Sequence, residues 1–321
     1  MLLCWFMRTD VHQHLWSEPL VEALACRAEL PFVRSERGLT VLYLAGERPY
    51  VIDLEQEQPG RRTETVERDG LDCALVCLSS PIGIESLRRS QATPLLEAYH
   101  DGAISLGGPF GVWGSVALDS PDPGDVDDVL DRGCVGVSLP ADALAGVQQL
   151  GEVAPLLDRL EARDAPLFLH PGPAPATARL AAAEGCSLTE PLWWPAMTRY
   201  LAGLQGAWLA FQAVGRSRHP RLRVVFSMLA GLAPLHGERL VARGGPLPAA
   251  HDPLLFYESS SYGPRAIAAM SAVVGAEQIL YGSDRPVVEP PLPAAADGID
   301  WELVGDTTQR ALGSAAEALV L

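Results

Sequence analysis

Short apolar runs recur along the chain at fairly regular intervals, and each run ends near glycine, proline, aspartate or serine. Nearly continuous apolar runs of this kind are typical of strands that are covered on both faces. The pattern therefore predicts eight buried strands. They span residues 3–11, 72–78, 111–118, 134–139, 166–170, 222–228, 254–258 and 278–282.

Segments with apolar positions three and four residues apart lie between these runs and predict helices. They include residues 86–100, 154–163, 195–216, 264–274 and 307–320. Strand alternating with helix eight times predicts an α/β fold, a (β/α)8 TIM barrel formed as one domain by residues 1–321. The alternative is a doubly wound open sheet, which a glycine-rich nucleotide loop after the first strand would favour. The sequence has no such loop there.

One stretch interrupts the alternation, and we interpret residues 31–69 as an insertion after the first strand. Within it, residues 39–53 form two extended runs around the turn-forming residues 45–48, which predicts a small β-hairpin. The insertion would lie in the first strand-to-helix loop, on the face where barrel active sites form. The acidic, proline-rich residues 120–131 predict a loop.

The charge of the chain narrows the function classes. It carries 24 basic and 40 acidic side chains, a net charge of −16. Such a field repels phosphate backbones and anionic lipid surfaces, which argues against nucleic-acid and membrane partners. No apolar run reaches the roughly 18 residues that span a bilayer, and the first residues lack the features of a signal peptide. We therefore expect a cytoplasmic protein that acts on a small-molecule substrate.

Histidines at predicted strand ends are the candidate metal ligands. On a strand, residues two apart point to the same side, so His12 and His14 would project two imidazoles into one space. His170 ends the fifth predicted strand, and Asp284 follows the eighth. All four would lie at the carboxyl rim of the barrel. Three imidazoles and a carboxylate suit one divalent metal ion, such as zinc.

Several motifs resemble the amidohydrolase-related family that contains aminocarboxymuconate semialdehyde decarboxylase-like enzymes. They are DVHQH (10–14), FLHPG (168–172), LWWP (192–195), RLRVVFSMLAGLAPLHGERL (221–240), LFYESSS (255–261) and ILYGSDRP (279–286). The resemblance covers most of the chain in the expected order. It implies a barrel with a mononuclear metal site, in which His12, His14 and His170 are ligands. Asp284 would be a ligand or the base that handles protons.

One residue departs from the family pattern. The resemblance implies a further histidine at the end of the sixth strand, and Met228 stands in that place. A thioether cannot transfer protons and is a poor ligand for a hard divalent ion. In the family's decarboxylases that histidine is implicated in activating water or protonating the substrate. Its absence weakens the decarboxylase interpretation.

Three functions follow from these observations. The leading hypothesis is a metal-dependent hydrolase of a small amide, lactone or ester, in which Asp284 is the general base for a metal-activated water and His170 assists catalysis. The alternative is a non-oxidative decarboxylase of an aromatic or enoic acid that uses the same site. A third hypothesis, which Met228 supports, is a barrel that has lost catalysis and serves as a binding protein.

Four further residues are candidates for substrate binding. Arg285, beside Asp284, could bind a substrate carboxylate, although a salt bridge that stabilises the loop is an equal alternative. Trp193 and Trp194 could line an aromatic pocket or pack in a core or subunit interface. His236 could reach inward from the segment after the sixth strand or lie on a helix surface. The family resemblance and the tryptophan-rich segment also favour a homodimer.

Overall fold

Eight parallel strands enclose a barrel in the computed structural model, which describes residues 7–186, 189–246 and 252–319. They follow one another in chain order, and each pairs in parallel with the next. The first and eighth strands are joined by the bond from the Val11 amide to the Tyr281 carbonyl, at 3.0 Å. The predicted barrel is thus confirmed. Its strands are β1 (Thr9–His14), β5 (Cys73–Cys77), β6 (Phe110–Ser115), β7 (Gly136–Pro140), β8 (Leu167–His170), β9 (Val224–Phe226), β10 (Leu255–Glu258) and β11 (Ile279–Leu280).

The strands form where the sequence is apolar on both faces, since every residue of β5, β8 and β10 is buried. Successive side chains point alternately into the barrel and toward the helices. An inner cluster contains Trp113, Phe168 and Phe256, with Trp113 and Phe168 stacked at a ring-centroid distance of 5.1 Å. This aromatic packing fills the barrel below the strand ends and leaves only their carboxyl ends free to form a site.

Helices surround the barrel. They are α1 (Glu18–Ala25), α2 (Pro59–Arg68), α3 (Arg89–Ser105), α4 (Pro123–Asp131), α5 (Val147–Ala162), α6 (Pro175–Glu184), α7 (Trp194–Met197), α8 (Arg199–Ala210), α9 (Arg216–Arg218), α10 (Gly237–Ala242), α11 (Pro264–Val274), α12 (Trp301–Leu312) and α13 (Ala315–Ala318). The helix predicted over 195–216 is divided among α7, α8, a π-helical segment (Phe211–Gly215) and α9. Predicted positions 3–6 and 320 lie outside the described residues. No helix in the described ranges is long and apolar enough to cross a membrane.

The insertion after β1 is a three-stranded antiparallel sheet of β2 (Phe32–Glu36), β3 (Leu39–Tyr43) and β4 (Tyr50–Ile52). The hairpin predicted around residues 45–48 is confirmed as β3 and β4. The additional strand β2 was not predicted. It turns into β3 through Arg37 and Gly38, whose φ angles of 51° and 82° are those of a tight hairpin turn.

The loop predicted over residues 120–131 is wrong, because most of it forms α4. The carboxylate of Asp122 accepts a hydrogen bond from the Gly124 amide at 2.9 Å, and Pro123 occupies the first helical position. Val126 and Val129, three residues apart, are buried. Burial of this apolar pair and the cap outweigh the acidic, proline-rich composition that favoured a loop.

Candidate metal centre

Three histidine rings meet at the carboxyl ends of β1 and β8. A register irregularity in β1 between Asp10 and Gln13 accompanies the placement of His12 and His14 in the barrel mouth, beside His170. The three ring centroids lie 4.8 to 5.0 Å apart, and the ring planes are nearly perpendicular, at 86° to 89°. All three side chains are buried. The rings therefore face one small volume from three directions.

The hydrogen bonds of the rings direct one nitrogen of each toward that volume. Nδ1 of His12 lies 2.9 Å from Oε2 of Glu258, Nδ1 of His14 lies 3.0 Å from the Cys77 carbonyl oxygen, and Nδ1 of His170 lies 2.8 Å from the Pro171 carbonyl oxygen. Because each Nδ1 faces an acceptor, Nδ1 carries the proton whenever the ring is neutral, and the Nε2 lone pair is then available to a metal ion. The Nε2 atoms of His12 and His14 are 3.3 Å apart. Lone pairs this close suit a shared cation, so these residues fit a divalent metal ion.

Asp284 brings a carboxylate to the same place. Its Oδ1 lies 3.0 Å from Nε2 of His14 and 3.5 Å from Nε2 of His12. Its backbone amide donates to the His12 carbonyl at 2.9 Å, and its φ of 62° turns the chain sharply after β11. The structure therefore brings all four predicted site residues together. From this position Asp284 can serve as a fourth ligand or as a proton carrier.

The electrostatics of the site favour positive charge. Burial, reinforced by His14 and His12, holds the pKa of His170 well below its usual range, which keeps this ring neutral. Burial also disfavours charge on His14, yet Cys77 and Asp284 raise its pKa to about 9. For His12, Glu258 and Cys77 similarly outweigh burial, and its pKa is raised well above its usual value. A bound cation would supply the charge that these groups stabilise.

Cys77 lies against the histidines, a position that the analysis of the sequence missed. Its Sγ is 3.4 Å from Nδ1 of His14, and the candidate ligand atoms of His12, His14, Cys77 and His170 all lie within 4.8 Å of one another. The spacing of Cys73 and Cys77 gave no indication of a metal site. The available signal was that Cys77 ends a barrel strand, as His14 and His170 do.

The buried carboxylates of Glu258 and Asp10 position the ligands, and neither residue was predicted from the sequence. Oε2 of Glu258 accepts hydrogen bonds from the Ser260 hydroxyl at 2.8 Å and the Met228 amide at 3.2 Å, in addition to the His12 ring. Oδ1 of Asp10 accepts from the amides of His12 at 3.1 Å and Ser283 at 3.0 Å. Asp10 thereby ties β1 to the loop that carries Asp284.

Met228 lies at the edge of the metal centre, two residues after the end of β9. Its side chain lines the cavity described next, and its backbone has a φ of 49°. The chain stays in the left-handed region through Leu232, a conformation that costs non-glycine residues about 1–2 kcal/mol each. The site therefore holds a thioether where the resemblance implies an imidazole.

A cavity of about 600 Å³ opens above the metal centre, within the range typical of small-molecule sites. Its floor contains His14, His170 and Asp284. Its walls come from the residues after β1, the inserted sheet, the segment after β5, the residues before α8 and the loop after β11, and most of them are apolar. Wall residues include Trp16, Leu42, Leu44, Pro49, Tyr50, Pro81, Ile82, Leu192, Trp193, Val287 and Val288.

Of the four residues predicted to bind substrate, Trp193 lines the cavity and the other three do not. Trp194 instead packs on Trp193 at a centroid distance of 5.6 Å. Arg285 is directed away from the cavity, because it forms ion pairs with Glu289 at 2.6 Å and Asp69 at 3.0 Å. His236 is exposed and outside the cavity lining. The structure thus favours the salt-bridge alternative for Arg285 and the surface alternative for His236. The homodimer stays a prediction.

Comparison with known proteins extends the description of the fold. No protein-family model matches the chain, and no curated protein matches it significantly. Solved structures share its barrel over nearly the whole length, and some of them are named as decarboxylases or as amidohydrolases. The expected resemblance is therefore confirmed at the level of the fold.

Three of these structures are the most informative. IDCase from Metarhizium anisopliae, in apo form, has a TM-score of 0.69 at 17% identity and covers 98% of this chain and 97% of its own. The 5-carboxyvanillate decarboxylase from Sphingomonas paucimobilis has a TM-score of 0.66 at 17% identity and 97% coverage of both chains. The enzyme of that name from Novosphingobium aromaticivorans, complexed with manganese and 4-hydroxy-3-methoxy-5-nitrobenzoic acid, has a TM-score of 0.65 at 15% identity. It covers 98% of this chain and 96% of its own.

Proposed function

We propose that this protein is a metal-dependent carboxy-lyase that releases carbon dioxide from a small aromatic or enoic acid. The observation that carries the proposal is a cluster of three histidines and the Asp284 carboxylate beside a mostly apolar cavity, whose lining includes His14, His170 and Asp284. The shared fold with decarboxylases of aromatic acids agrees with it. This ranking reverses the one suggested by the sequence, in which hydrolysis came first.

The residues present fit one divalent ion. His12, His14 and His170 would hold it through Nε2, with Asp284 beside them. When bound, the ion would supply a Lewis acid that binds and polarises substrate oxygens. Imidazole and carboxylate donors accept both zinc and manganese, and the Novosphingobium structure contains manganese. We therefore propose zinc or manganese as the cofactor.

The chain's own residues supply exclusion of water and a proton. Apolar walls such as Leu42 and Trp193 remove water from the substrate carboxylate, and loss of hydration favours its departure as neutral carbon dioxide. The carbon–carbon bond breaks, and its electron pair stays on the substrate carbon, which then takes a proton. We assign delivery of this proton to Asp284, which lies at the floor of the cavity and can pass a proton from solvent to the carbon, whereas Met228 has no proton to give. Solvent at the open side of the cavity then reprotonates Asp284.

Hydrolysis of an amide, lactone or ester is the second candidate, and Met228 is the observation that favours it. A hydrolase of this type needs one group that takes a proton from water and returns it to the leaving group, and Asp284 alone can do both. Schiff-base chemistry has no support, because all 24 Lys/Arg residues of the sequence are arginine and no lysine amine is available. Both candidates thus depend on the same four residues.

Release of carbon dioxide tests the proposal. The protein would be depleted of metal with a chelator, reloaded with manganese or zinc, and incubated separately with 5-carboxyvanillate, 2,6-dihydroxybenzoate, a lactone and an anilide. We expect carbon dioxide from an aromatic acid only with the reloaded protein. Turnover of the lactone or anilide without carbon dioxide would establish hydrolysis instead. Turnover of neither class by metal-loaded protein would contradict both and favour a binding role.

A further inference from the structure

A carboxylate and a phenol form a second polar group in the cavity wall. Glu47 lies in the turn between β3 and β4, and Tyr200 is the second residue of α8. Both line the cavity, and the Tyr200 hydroxyl donates a hydrogen bond of 2.5 Å to Oε1 of Glu47. Neither residue belongs to the metal centre. The lining therefore contains two polar groups, the metal centre and the Glu47–Tyr200 pair, among mostly apolar residues.

Glu47 keeps acceptor capacity for a ligand. Of the described residues, Tyr200 is the one that donates a hydrogen bond to it, and a carboxylate can accept about four. The Arg199 guanidinium is 3.9 Å away and donates instead to the Gly46 carbonyl at 3.0 Å. Burial raises the pKa of Glu47, against the opposite effects of Tyr200 and Arg199. A carboxylate that has lost part of its hydration is stabilised by a donor on a bound ligand.

The charges around this group oppose a second anionic substituent on the ligand. Arg48 is the basic residue among the described residues that line the cavity, and its Nη2 donates to the Glu190 carbonyl at 2.7 Å. Glu47 and Glu190 both belong to the lining, and Arg199 pairs with Glu47 at 3.9 Å. Arg285, the other candidate anchor, is held outside by Glu289. Both arginines near Glu47 thus donate to backbone carbonyls, and the Glu47 carboxylate would repel a second carboxylate placed beside it.

We propose that Glu47, positioned by Tyr200, is a specificity-determining residue that selects aromatic acids with a hydrogen-bond donor remote from the metal centre. The donor is a phenolic hydroxyl or an amine. The inference rests on the proposed function for the acid group, which the metal centre holds. The apolar walls then enclose the ring between the two polar groups, and a second carboxylate in place of the donor is rejected.

Binding of matched acids tests this selection without requiring turnover. Titration calorimetry of manganese-loaded protein would compare benzoate with 4-hydroxybenzoate, and 2-naphthoate with 6-hydroxy-2-naphthoate, so that two ring lengths cover the cavity. A hydrogen bond to a charged acceptor predicts about tenfold tighter binding of one hydroxylated member than of its partner. In Glu47→Gln this preference should fall below about threefold, with binding of the unsubstituted acid unchanged.

Two further variants separate recognition from structure. Tyr200→Phe keeps the carboxylate and removes the bond that positions it, so the preference should weaken but stay above that of Glu47→Gln. Glu152→Gln, which changes an exposed residue of α5 outside the cavity lining, should behave as wild type. Equal affinities within both pairs in the wild type, binding of none of the four acids, or equal weakening of both members in Glu47→Gln would overturn the inference. If Glu47-dependent binding occurs without release of carbon dioxide, the proposed reaction fails and the inference stands. If carbon dioxide is released but the preference does not depend on Glu47, the proposed reaction stands and the inference about Glu47 fails.

Discussion

The carboxylate of Glu258 should control the affinity of the metal centre although it does not point at the metal. It is fully buried and accepts hydrogen bonds from the His12 ring, the Ser260 hydroxyl and the Met228 amide. The bond at 2.9 Å to Nδ1 keeps the proton on that nitrogen and fixes the orientation of Nε2. In Glu258→Gln the side chain keeps its size and loses its charge, and one of its two oxygens becomes a donor.

The expected loss follows from that contact. Replacing a carboxylate that orients a ligating histidine weakens metal binding by about 10- to 100-fold, which corresponds to about 1.4–2.7 kcal/mol. We expect a value toward the upper end, because the two oxygens of Glu258 accept four hydrogen bonds, including one from the Ser260 amide, and a single amide oxygen cannot replace them all.

Competition with a fluorescent chelator would measure the dissociation constants for manganese and zinc. Glu85→Gln is a matched control, because Glu85 is equally buried and accepts from the Ser80 hydroxyl at 2.6 Å, outside the histidine cluster. Circular dichroism would establish that each variant is folded. A folded Glu258→Gln with metal affinity within about twofold of wild type would refute the role assigned to Glu258.

Three other predictions concern single carboxylates. Asp284→Asn should retain the metal but lose about 10²- to 10⁴-fold in turnover, and near-normal turnover would show that Asp284 is not the proton carrier. Asp10→Ala should lower the free energy of unfolding by about 3 kcal/mol or more in urea denaturation, since it leaves the buried amides of His12 and Ser283 without their acceptor; an unchanged midpoint would contradict this. Burial raises the pKa of Glu85 to about 7 from 4.5, so its ionisation costs stability as pH rises through that range. Between pH 5.5 and 8.5, the wild type should therefore lose about 2 kcal/mol relative to Glu85→Gln, whereas parallel pH profiles would exclude it.

The barrel was predictable because its strands are apolar on both faces, a pattern that depends only on neighbouring residues. The rim position of His12, His14, His170 and Asp284 followed from the same reasoning, since parallel strands end on one side of a barrel. The strand β2 was harder to predict. Its Phe32–Glu36 sequence is half polar, and its pairing is set by a two-residue turn with positive φ angles. The helix α4 was not predicted for a similar reason. Its formation depends on the Asp122 cap and two buried valines, which the acidic composition of the segment obscures.

Supporting residues of the site depend on contacts between distant parts of the chain. Glu258 lies 246 positions from His12, and Asp10 lies 273 positions from Ser283. Neither distance leaves a local pattern, although the ends of β5 and β10 could have drawn attention to Cys77 and Glu258. The direction of Arg285 was only partly accessible, because Glu289 lies four positions away but Asp69 lies on a distant segment.

Metal content tests the central claim most directly. The experiment compares wild type with His170→Ala and with the matched variant His236→Ala, which removes an exposed histidine. Each protein would be dialysed against manganese or zinc, and its metal content would be measured by elemental mass spectrometry. The account predicts about one divalent ion per chain for wild type and His236→Ala, and less than about 0.1 for His170→Ala. Equal metal in all three proteins, or none in the wild type, would contradict it.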